Sequence, residues 1–363
     1  MTAKRTKPHH IVILGVVMLA AIFAVLFVSA CGSSTSESSS SAAPEAQEIV
    51  TATFGGALGE AEKAAYYDPW VAQGGKIKQL ETEASLAAVR LQVSSGKVLW
   101  DIVELGGPDM IAGGQDGTLM KLDYTLIDKS VCVPDAAQEF GLDSNHYTEG
   151  IGYLTKNFKT PPTWADFWNT SQYPGRRSME KYIQDGTLEY AQLGAGVPKE
   201  SLYPLDVDAA LLSLDKLGND VVFVDSLAQA SQLLIAGDVL MTQTAAGRML
   251  ALQKAGLEVG YNPVGQNGGS YFCIPAGAPH AAEAMKFLAF MASYEQGSTT
   301  MANATGYAGP NKAGNEAATG IGAALLYTNP DVAALGFPVD LAWWTPANTE
   351  MATTKFNSWL VQQ

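Results

Sequence analysis

Few residues in this chain have the types and spacing that catalysis requires. The 363-residue sequence has four histidines: His9 and His10 lie in a basic N-terminal stretch, His146 lies in a polar segment, and His280 follows Pro279 at a predicted helix start. We interpret His146 and His280 as surface residues. Zinc-helix, nucleophile-elbow and phosphate-loop motifs do not occur in the sequence. The chain is therefore predicted to be a non-enzyme, with a secreted carboxylate-pair hydrolase as a remote alternative.

Arg248 is the residue whose chemistry points most directly to a ligand. It follows Gly247 near the start of a predicted helix, and a guanidinium there can bind a carboxylate through two hydrogen bonds. An arginine paired with a surface acid is the alternative, and the sequence leaves both open. If Arg248 lines a cleft, the ligand would be a zwitterion, with Glu104 or Glu189 as the partner of its amine. Glu104 ends a predicted strand, whereas Glu189 lies on a helix and is expected to be solvated.

Composition excludes some partners. The net charge is −14, from 22 Lys and Arg against 36 Asp and Glu. Nucleic acids select clustered lysine and arginine, so no nucleic-acid partner is expected. The length, with 47% hydrophobic residues, predicts about two folded domains. Cys132 and Cys273 form either two free thiols or one disulfide, and without a histidine cluster they predict no metal site and no cofactor.

The N-terminus has the features of an export signal. Residues 1–30 are basic at the start and then apolar from residue 11 until Cys31. The tetrapeptide VSAC (28–31) resembles the bacterial lipobox, in which the chain is cut before the cysteine and its sulfur is acylated. Residues 31–48 contain this cysteine and a Ser-rich tether expected to be flexible. We predict a lipoprotein held through Cys31 at the outer face of the cytoplasmic membrane or in the periplasm, with an uncleaved membrane helix as the alternative.

From residue 49 onward, β-rich runs alternate with helical runs. This order predicts an α/β fold with parallel strands covered by helices. Asp206 is predicted to cap a helix that begins at residue 207. Strands are predicted at 49–54, 77–80, 101–105, 151–155, 221–224, 239–242, 257–261 and 270–274. Helices are predicted at 59–71, 86–93, 163–168, 187–193, 226–236 and 247–255, and after His280 with Ala284, Phe287, Leu288 and Met291 on one face.

Six segments, in this order along the chain, closely resemble the solute-binding proteins of polyamine-type ABC importers. They are FGGALGEAEKAAYYDPW (54–70), WDIVELGGPDM (100–110), TWADFW (163–168), GVPKESLYPLDVDAAL (196–211), QLLIAGDVLMTQTAAGR (232–248) and CIPAGAPHAAEAMKFLAF (273–290). The resemblance implies a two-lobed type II periplasmic-binding-protein fold with the ligand cleft between the lobes. Lobe 1 would comprise residues 49–149 and about 264–305, and lobe 2 residues 150–263 and about 306–363.

The resemblance also implies a function. The protein would be a monomer that captures a small amine-containing solute, such as putrescine or spermidine, and delivers it to ABC permease subunits in the membrane. A zwitterionic amino or ω-amino acid held by Arg248 is the alternative within this class. An adhesion or sensing module without a transport partner is an alternative from another class.

The family's pocket implies which residues contact the solute. It sandwiches an aliphatic amine between aromatic rings and pairs its ammonium groups with carboxylates. The family's W-N-G or Y-N-G turn is replaced here by Ala245-Ala246-Gly247, and its W-x-D motif by Gly268-Gly269-Ser270. A lost ammonium–carboxylate hydrogen bond is worth about 1.5–3 kcal/mol. The candidate ligand-binding residues, from motif matches or predicted strand and helix ends, are Phe54, Gly55, Gly56, Glu104, Gln243, Arg248, Ser270, Tyr271, Tyr307, Trp343 and Trp344.

Overall fold

The computed structural model describes residues 46–82 and 84–363. The predicted signal peptide, the lipobox and most of the tether fall on residues 1–45 and lie outside the described residues. The strands are β1 (Glu48–Thr53), β2 (Lys76–Glu81), β3 (Ile102–Gly106), β4 (Leu142–Leu154), β5 (Arg177–Glu180), β6 (Val221–Val224), β7 (Met241–Ala245), β8 (Val259–Asn262), β9 (Gln266–Cys273) and β10 (Phe337–Pro338).

Helices separate most of these strands. They are α1 (Gly56–Glu62), α2 (Asp68–Ala72), α3 (Leu86–Ser95), α4 (Gly107–Gln115), α5 (Trp164–Trp168), α6 (Thr187–Gly194), α7 (Val207–Leu214), α8 (Leu227–Ala236), α9 (Ala246–Lys254), α10 (Ala281–Ser293), α11 (Glu295–Thr305), α12 (Lys312–Glu316), α13 (Gly320–Ala324), α14 (Pro330–Leu335) and α15 (Pro346–Leu360). A π-helical turn, Lys63–Tyr67, joins α1 to α2. Short 3-10 turns occur at Lys129–Val131, Thr155–Asn157, Ile183–Asp185, Lys199–Ser201 and Gly218–Asp220.

Local sequence explains several helix starts. As predicted, the Asp206 carboxylate caps α7 by accepting the Ala209 N–H, and Ser85 caps α3 in the same way. Thr163 and Asp166 form a reciprocal capping box at α5. Each cap satisfies backbone donors that a helix leaves unpaired, which is worth about 1 kcal/mol.

The strands form one sheet with two different halves. The order is β2-β1-β3-β9-β4-β7-β5-β6, with β10 beside β9 and β8 beside β4. Strands β1 to β3 are parallel to one another, as are β5 to β7. Strand β4 runs antiparallel to its neighbours: its residues 142–148 pair with β9, and its residues 149–154 pair with β7 and β8.

The two largest hydrophobic clusters of the described residues lie on the two halves of this sheet. One surrounds Tyr66, Phe272 and Phe287, and the other surrounds Phe167, Tyr190 and Phe356. The molecule is therefore an α/β protein of two lobes that share β4. The predicted apolar face of α10 is confirmed, because Ala284, Phe287, Leu288 and Met291 are all buried.

The main difference from the sequence analysis is the length of β4. Only residues 151–155 were expected to form this strand, because the preceding residues are polar and do not alternate. All of them except half-buried Tyr147 are buried, and they pair with β9 up to residue 148 and with β7 from residue 149. The prediction that His146 is a surface residue is wrong: it lies inside β4 and is 6% exposed. The predicted helix start at His280 is confirmed, and His280 also hydrogen-bonds to Asp101.

Candidate functional site

A cavity of about 490 Å³ lies where the two halves of the sheet meet. It adjoins the carboxyl ends of β3 and β5, which is where ligands bind in open α/β sheets. Its volume is within the range of small-molecule sites. Its lining residues are Gly106, Gly107, Pro108, Asp135, Gln138, His146, Tyr147, Tyr182, Gln184, Asp185, Gln266, Asn267, Gly268, Gly269, Tyr271, Tyr327, Ala333, Pro338, Val339 and Leu341.

Two glycines of β9 shape the wall of this cavity. A Cβ atom on Gly269 would lie 2.9 Å from Asp143 Oδ1, and one on Gly268 would lie 3.2 Å from the Tyr147 hydroxyl. The first contact is shorter than real Cβ contacts, and the second would require Tyr147 to shift. Gly268 and Gly269 therefore let the side chains of Asp143 and Tyr147 approach β9.

His146 is held rigidly in this wall. Its Nδ1 lies 3.0 Å from Asp143 Oδ2, and its ring stacks on Tyr327 with centroids 3.8 Å apart. The Tyr327 hydroxyl donates to the Pro134 carbonyl at 3.1 Å. Burial raises the pKa of Asp143, and the neighbouring His146 opposes that rise. This arrangement makes His146 a structural part of the cavity wall.

Three carboxyl groups gather beside the cavity, and we call Glu149, Glu180 and Asp185 the carboxyl cluster. Asp185 lines the cavity and is half-buried, while Glu149 and Glu180 are buried behind it. Burial, followed by the charge of Asp185, raises the pKa of Glu149 and of Glu180. The neighbouring Glu180 side chain lowers the pKa of Asp185 against the larger effect of its burial. The cluster therefore places its negative charge on the carboxylate that faces the cavity.

Gln243 organises the carboxyl cluster from β7. Its Nε2 donates to the Asp185 carbonyl at 2.7 Å and to Glu149 Oε2 at 3.4 Å, and its Oε1 accepts the Glu180 N–H at 3.0 Å. Tyr190 also donates to Glu149 Oε2, at 3.0 Å. Gln243 is completely buried. It therefore lies behind the cavity wall and positions the acids that adjoin it.

Arg248, near the start of α9, brings a positive charge to the same region. Its side chain is exposed, and within residues 46–82 and 84–363 it forms no hydrogen bond or ion pair. It is near enough to lower the pKa of Glu149, Glu180 and Tyr307. The Tyr307 ring covers Gly247, where a Cβ atom would be 2.7 Å from Tyr307 Cζ, and it meets the edge of Tyr147 with centroids 6.0 Å apart. Arg248 is not one of the residues that line the cavity; its neighbour Gly247 is connected to the cavity wall through the rings of Tyr307 and Tyr147.

The other residues named from the sequence have varied positions. Tyr271 lines the cavity, whereas the adjacent Ser270 is buried and its carbonyl accepts from Ser144. Phe54 is 49% exposed, and Gly55 and Gly56 follow it in left-handed conformations that favour glycine.

Glu104 and Trp344 are both completely buried. Glu104 accepts hydrogen bonds from Phe54 N, Ser144 and Asn145. Trp344 belongs to the core of the second lobe, with the half-buried Trp343 packed against it. The expectation that Glu189 is solvated is wrong: it is buried, and it accepts hydrogen bonds from Trp344 Nε1 at 3.2 Å and from Tyr203.

Sequence reasoning missed the carboxyl cluster and Tyr147. Glu180 ends β5 and Asp185 follows five residues later, so acids beyond a strand end were the available signal. Glu149 and Tyr147 gave no such signal because β4 was not recognised at these residues. Their proximity to Asp185 arises from the pairing of β4 with β7.

The described residues contain no group of three or more His, Cys, Asp and Glu side chains arranged to hold a metal ion. Cys132 and Cys273 are free thiols. No helix between residues 46 and 363, apart from the undescribed residue 83, is long and apolar enough to cross a membrane.

Comparison with known proteins gives one family match. Residues 72–334 match the model of the family described as bacterial extracellular solute-binding protein. The γ-aminobutyric acid-binding protein of Pseudomonas aeruginosa strain PAO1 is 34% identical over 261 residues, which are 68% of this chain and 72% of that protein.

Solved structures extend the similarity across the described chain. The Atu4243-GABA receptor superposes with a TM-score of 0.79 and 28% identity, covering 86% of this chain and 97% of that one. An ABC transporter substrate-binding protein from Bradyrhizobium japonicum USDA 110 gives a TM-score of 0.80 and 29% identity, covering 86% and 99%. A spermidine/putrescine ABC transporter protein from Listeria monocytogenes shares the fold at a TM-score of 0.69, with 15% identity and coverages of 87% and 99%.

Proposed function

Because this chain belongs to the bacterial extracellular solute-binding proteins, which bind small molecules and deliver them to ABC permeases, we propose that its solute is a zwitterionic amino or ω-amino acid such as γ-aminobutyrate. Members of this family are binding proteins and not enzymes. The proposal concerns which solute occupies the cavity and which residues hold it.

The observation that carries the proposal is the pair of opposite charges beside the cavity. Arg248 offers a guanidinium that has no hydrogen-bond or ion-pair partner among the described residues, and Asp185 offers a carboxylate that lines the cavity. A zwitterion can satisfy both, with its carboxylate on Arg248 through two hydrogen bonds and its ammonium on Asp185. Tyr147, which lines the cavity, and Tyr307, whose ring packs against it, provide a surface for the connecting carbons.

A polyamine is less compatible with this arrangement. Its second ammonium group would approach Arg248 and be repelled, and the carboxylate of the family's W-x-D motif is replaced by Ser270. The similarity to a γ-aminobutyric acid-binding protein extends to sequence, whereas the similarity to the Listeria spermidine/putrescine protein is one of fold. We therefore prefer the zwitterion to the polyamine that the sequence motifs first suggested.

We also propose how the protein is held and how it moves. Acylation of Cys31 would anchor it outside the cytoplasmic membrane, and the lobes would close by bending where β4 passes from β9 to β7, near residues 148 and 149. Metabolic labelling with a radioactive fatty acid tests the anchor. Label should enter the wild type and be absent from Cys31→Ser; equal label in both would contradict acylation at this cysteine.

Isothermal titration calorimetry tests the proposed solute. The protein is titrated with γ-aminobutyrate, glutamate, putrescine, spermidine and butyrate. We expect γ-aminobutyrate or another zwitterion to bind at least tenfold more tightly than putrescine and butyrate, each of which carries only one kind of charge. Tighter binding of putrescine or spermidine would replace the zwitterion with a polyamine, and binding of none of these solutes would remove the amine assignment.

A further inference from the structure

Of the two polar groups in the side-chain amide of Gln266, only one has a hydrogen-bond partner within the described residues. Gln266 begins β9, lines the cavity and is 1% exposed. Its Nε2 donates to the Gln184 carbonyl at 3.2 Å, whereas its Oε1 has no hydrogen-bond partner within the described residues. A buried acceptor without a partner costs about 1–3 kcal/mol, and native proteins contain few of them.

The orientation of this amide is fixed by its surroundings. If the amide were rotated by half a turn, its oxygen would face the Gln184 carbonyl oxygen, and two acceptors would repel each other. The Gln266 backbone N–H is held as well, because it donates to the Tyr190 hydroxyl at 3.2 Å. Oε1 is therefore held as the unpaired atom.

The polar groups around Gln266 that face the cavity are hydrogen-bond acceptors, so they favour a ligand group that is a donor. Asp185, next to the residue that Gln266 binds, lines the same cavity and is an acceptor when ionised. Tyr190 donates its hydroxyl proton to Glu149, so it has none left for Gln266 Oε1. A ligand group that enters here meets an amide oxygen and a carboxylate. An ammonium group matches both, because it is a cation with up to three N–H donors.

We propose that Gln266 Oε1 accepts a hydrogen bond from the ammonium group of the solute and makes the site prefer a primary amine to an N-methylated one. This inference rests on the proposed function, since it assumes an amine-bearing zwitterion. It assigns the neutral half of the amine site to Gln266 and the charged half to Asp185. An N,N-dimethyl amine retains one N–H for Asp185 and has none for Gln266.

Two variants of Gln266 separate an acceptor from a structural role. Gln266→Met keeps the length of the side chain and removes donor and acceptor. Gln266→Glu keeps an acceptor oxygen at Oε1 and, when protonated, a donor toward Gln184. Titration calorimetry then compares γ-aminobutyrate with its N,N-dimethyl analogue for the wild type, for both variants and for Gln192→Met. Gln192 is a matched control, because it is a buried glutamine that donates to the Asp206 carbonyl outside the cavity.

The inference predicts a change in selectivity. Gln266→Met should weaken γ-aminobutyrate binding about tenfold and binding of the dimethyl analogue less than twofold, while Gln266→Glu and Gln192→Met retain the wild-type preference. If Gln266→Met weakens both solutes equally, or if Gln266→Glu loses the preference as well, Gln266 acts only by positioning Gln184 and the inference is overturned. If the wild type binds neither γ-aminobutyrate nor any other amino acid, the proposed function fails and this inference fails with it.

A crystal structure of the wild type with γ-aminobutyrate provides a test that does not depend on the folding of a variant. The ammonium nitrogen should lie within about 3.2 Å of Gln266 Oε1. A nitrogen beyond about 3.6 Å, while the solute still occupies the cavity, would overturn the inference and leave the proposed function standing.

Discussion

The buried carboxyl groups of Glu62 and Glu104 interact beneath the turn that contains Phe54, and burial, followed by the charge of Glu104, raises the pKa of Glu62. Both residues are completely buried. Glu104 Oε2 accepts the Phe54 N–H at 3.2 Å, and Glu104 Oε1 accepts from Ser144 at 2.8 Å. The pair therefore joins α1, β3 and β4, and Glu62 is the member that retains its proton.

The wild type should lose stability as the pH rises into the alkaline range, and Glu62→Gln should lose less. Burial, followed by the charge of Glu104, raises the pKa of Glu62 well above its ordinary value. A raised pKa means that the folded protein holds a proton that the unfolded chain releases. This contribution to stability is complete below the unfolded pKa, about 4.3, and is lost as pH rises through the folded pKa. Glu62→Gln keeps the donor and cannot lose it by titration.

Urea unfolding followed by circular dichroism at pH 6, 7.5 and 9 checks this prediction. The free energy of unfolding of the wild type should decline relative to that of Glu62→Gln by up to about 1.4 kcal/mol per pH unit. Glu316→Gln is the control, because Glu316 is an exposed residue 3.9 Å from Lys312. If the free energies of unfolding of the wild type and Glu62→Gln change with pH in parallel, the pKa of Glu62 is not raised in the folded protein.

Arg248→Ala should weaken binding of a zwitterion while sparing an amine without a carboxylate. Loss of charged hydrogen bonds worth about 1.5–3 kcal/mol lowers affinity roughly 10- to 150-fold. Titration with γ-aminobutyrate and putrescine measures both effects. Arg90→Ala is the matched control, since Arg90 pairs with Asp116 at 2.7 Å on the surface. Unchanged γ-aminobutyrate binding in Arg248→Ala would show that the carboxylate binds elsewhere.

Binding should weaken as pH falls below about 6. Burial raises the pKa of Asp185 to about 6, and the neighbouring Glu180 side chain opposes that rise. The ammonium requires ionised Asp185, so this part of the affinity is present above pH 6 and lost as protonation proceeds. Glu149 and Glu180 have their pKa values raised further and stay protonated over this range.

We therefore expect affinity for γ-aminobutyrate to be about tenfold lower at pH 5 than at pH 7. Asp185→Asn should bind weakly at both pH values, with little dependence on pH. Asp225→Asn should behave like the wild type, because Asp225 pairs with Lys181 on the surface. An equally steep pH dependence in Asp185→Asn would assign the titration to another group.

Trp344→Phe should destabilise the protein without changing its affinity for solute. The indole N–H is one of two donors to buried Glu189, and a buried carboxyl that loses a donor costs about 1–3 kcal/mol. Urea unfolding measures that loss, and titration should give a dissociation constant within twofold of the wild type. Trp359→Phe is the control, because its indole binds the exposed side of Asp215. A large loss of affinity in Trp344→Phe would indicate that Trp344 contributes to solute binding, as the sequence analysis proposed.

Elements that depend on local sequence were predictable. The strand at 221–224 and the Asp206 cap were found where they were expected, because β-branched runs and capping residues act within a few positions. The α/β class followed from the order of such elements. The polar half of β4 was not predictable, because its burial depends on β9 and β7, which are distant in the chain.

In the candidate site too, features that depend on residues distant in the chain were not predictable. Tyr271, named from its position at a predicted strand end, lines the cavity, whereas Arg248, named from a predicted helix start, is not a lining residue. Glu189 was misplaced, because its burial depends on Trp344, which is 155 residues away. The carboxyl cluster is formed by β4, β5 and the turn after β5, and nothing near Glu149 in the sequence reveals its neighbours. The unpaired oxygen of Gln266 is a property of the folded chain alone.

A crystal structure of the wild type grown with γ-aminobutyrate tests the central claim most directly. We expect the solute in the cavity, with its carboxylate about 3 Å from two nitrogens of Arg248 and its ammonium within hydrogen-bond distance of Asp185. A solute bound in the cavity with Arg248 turned to solvent, or with its ammonium away from Asp185, would contradict the claim that these two charges select a zwitterion.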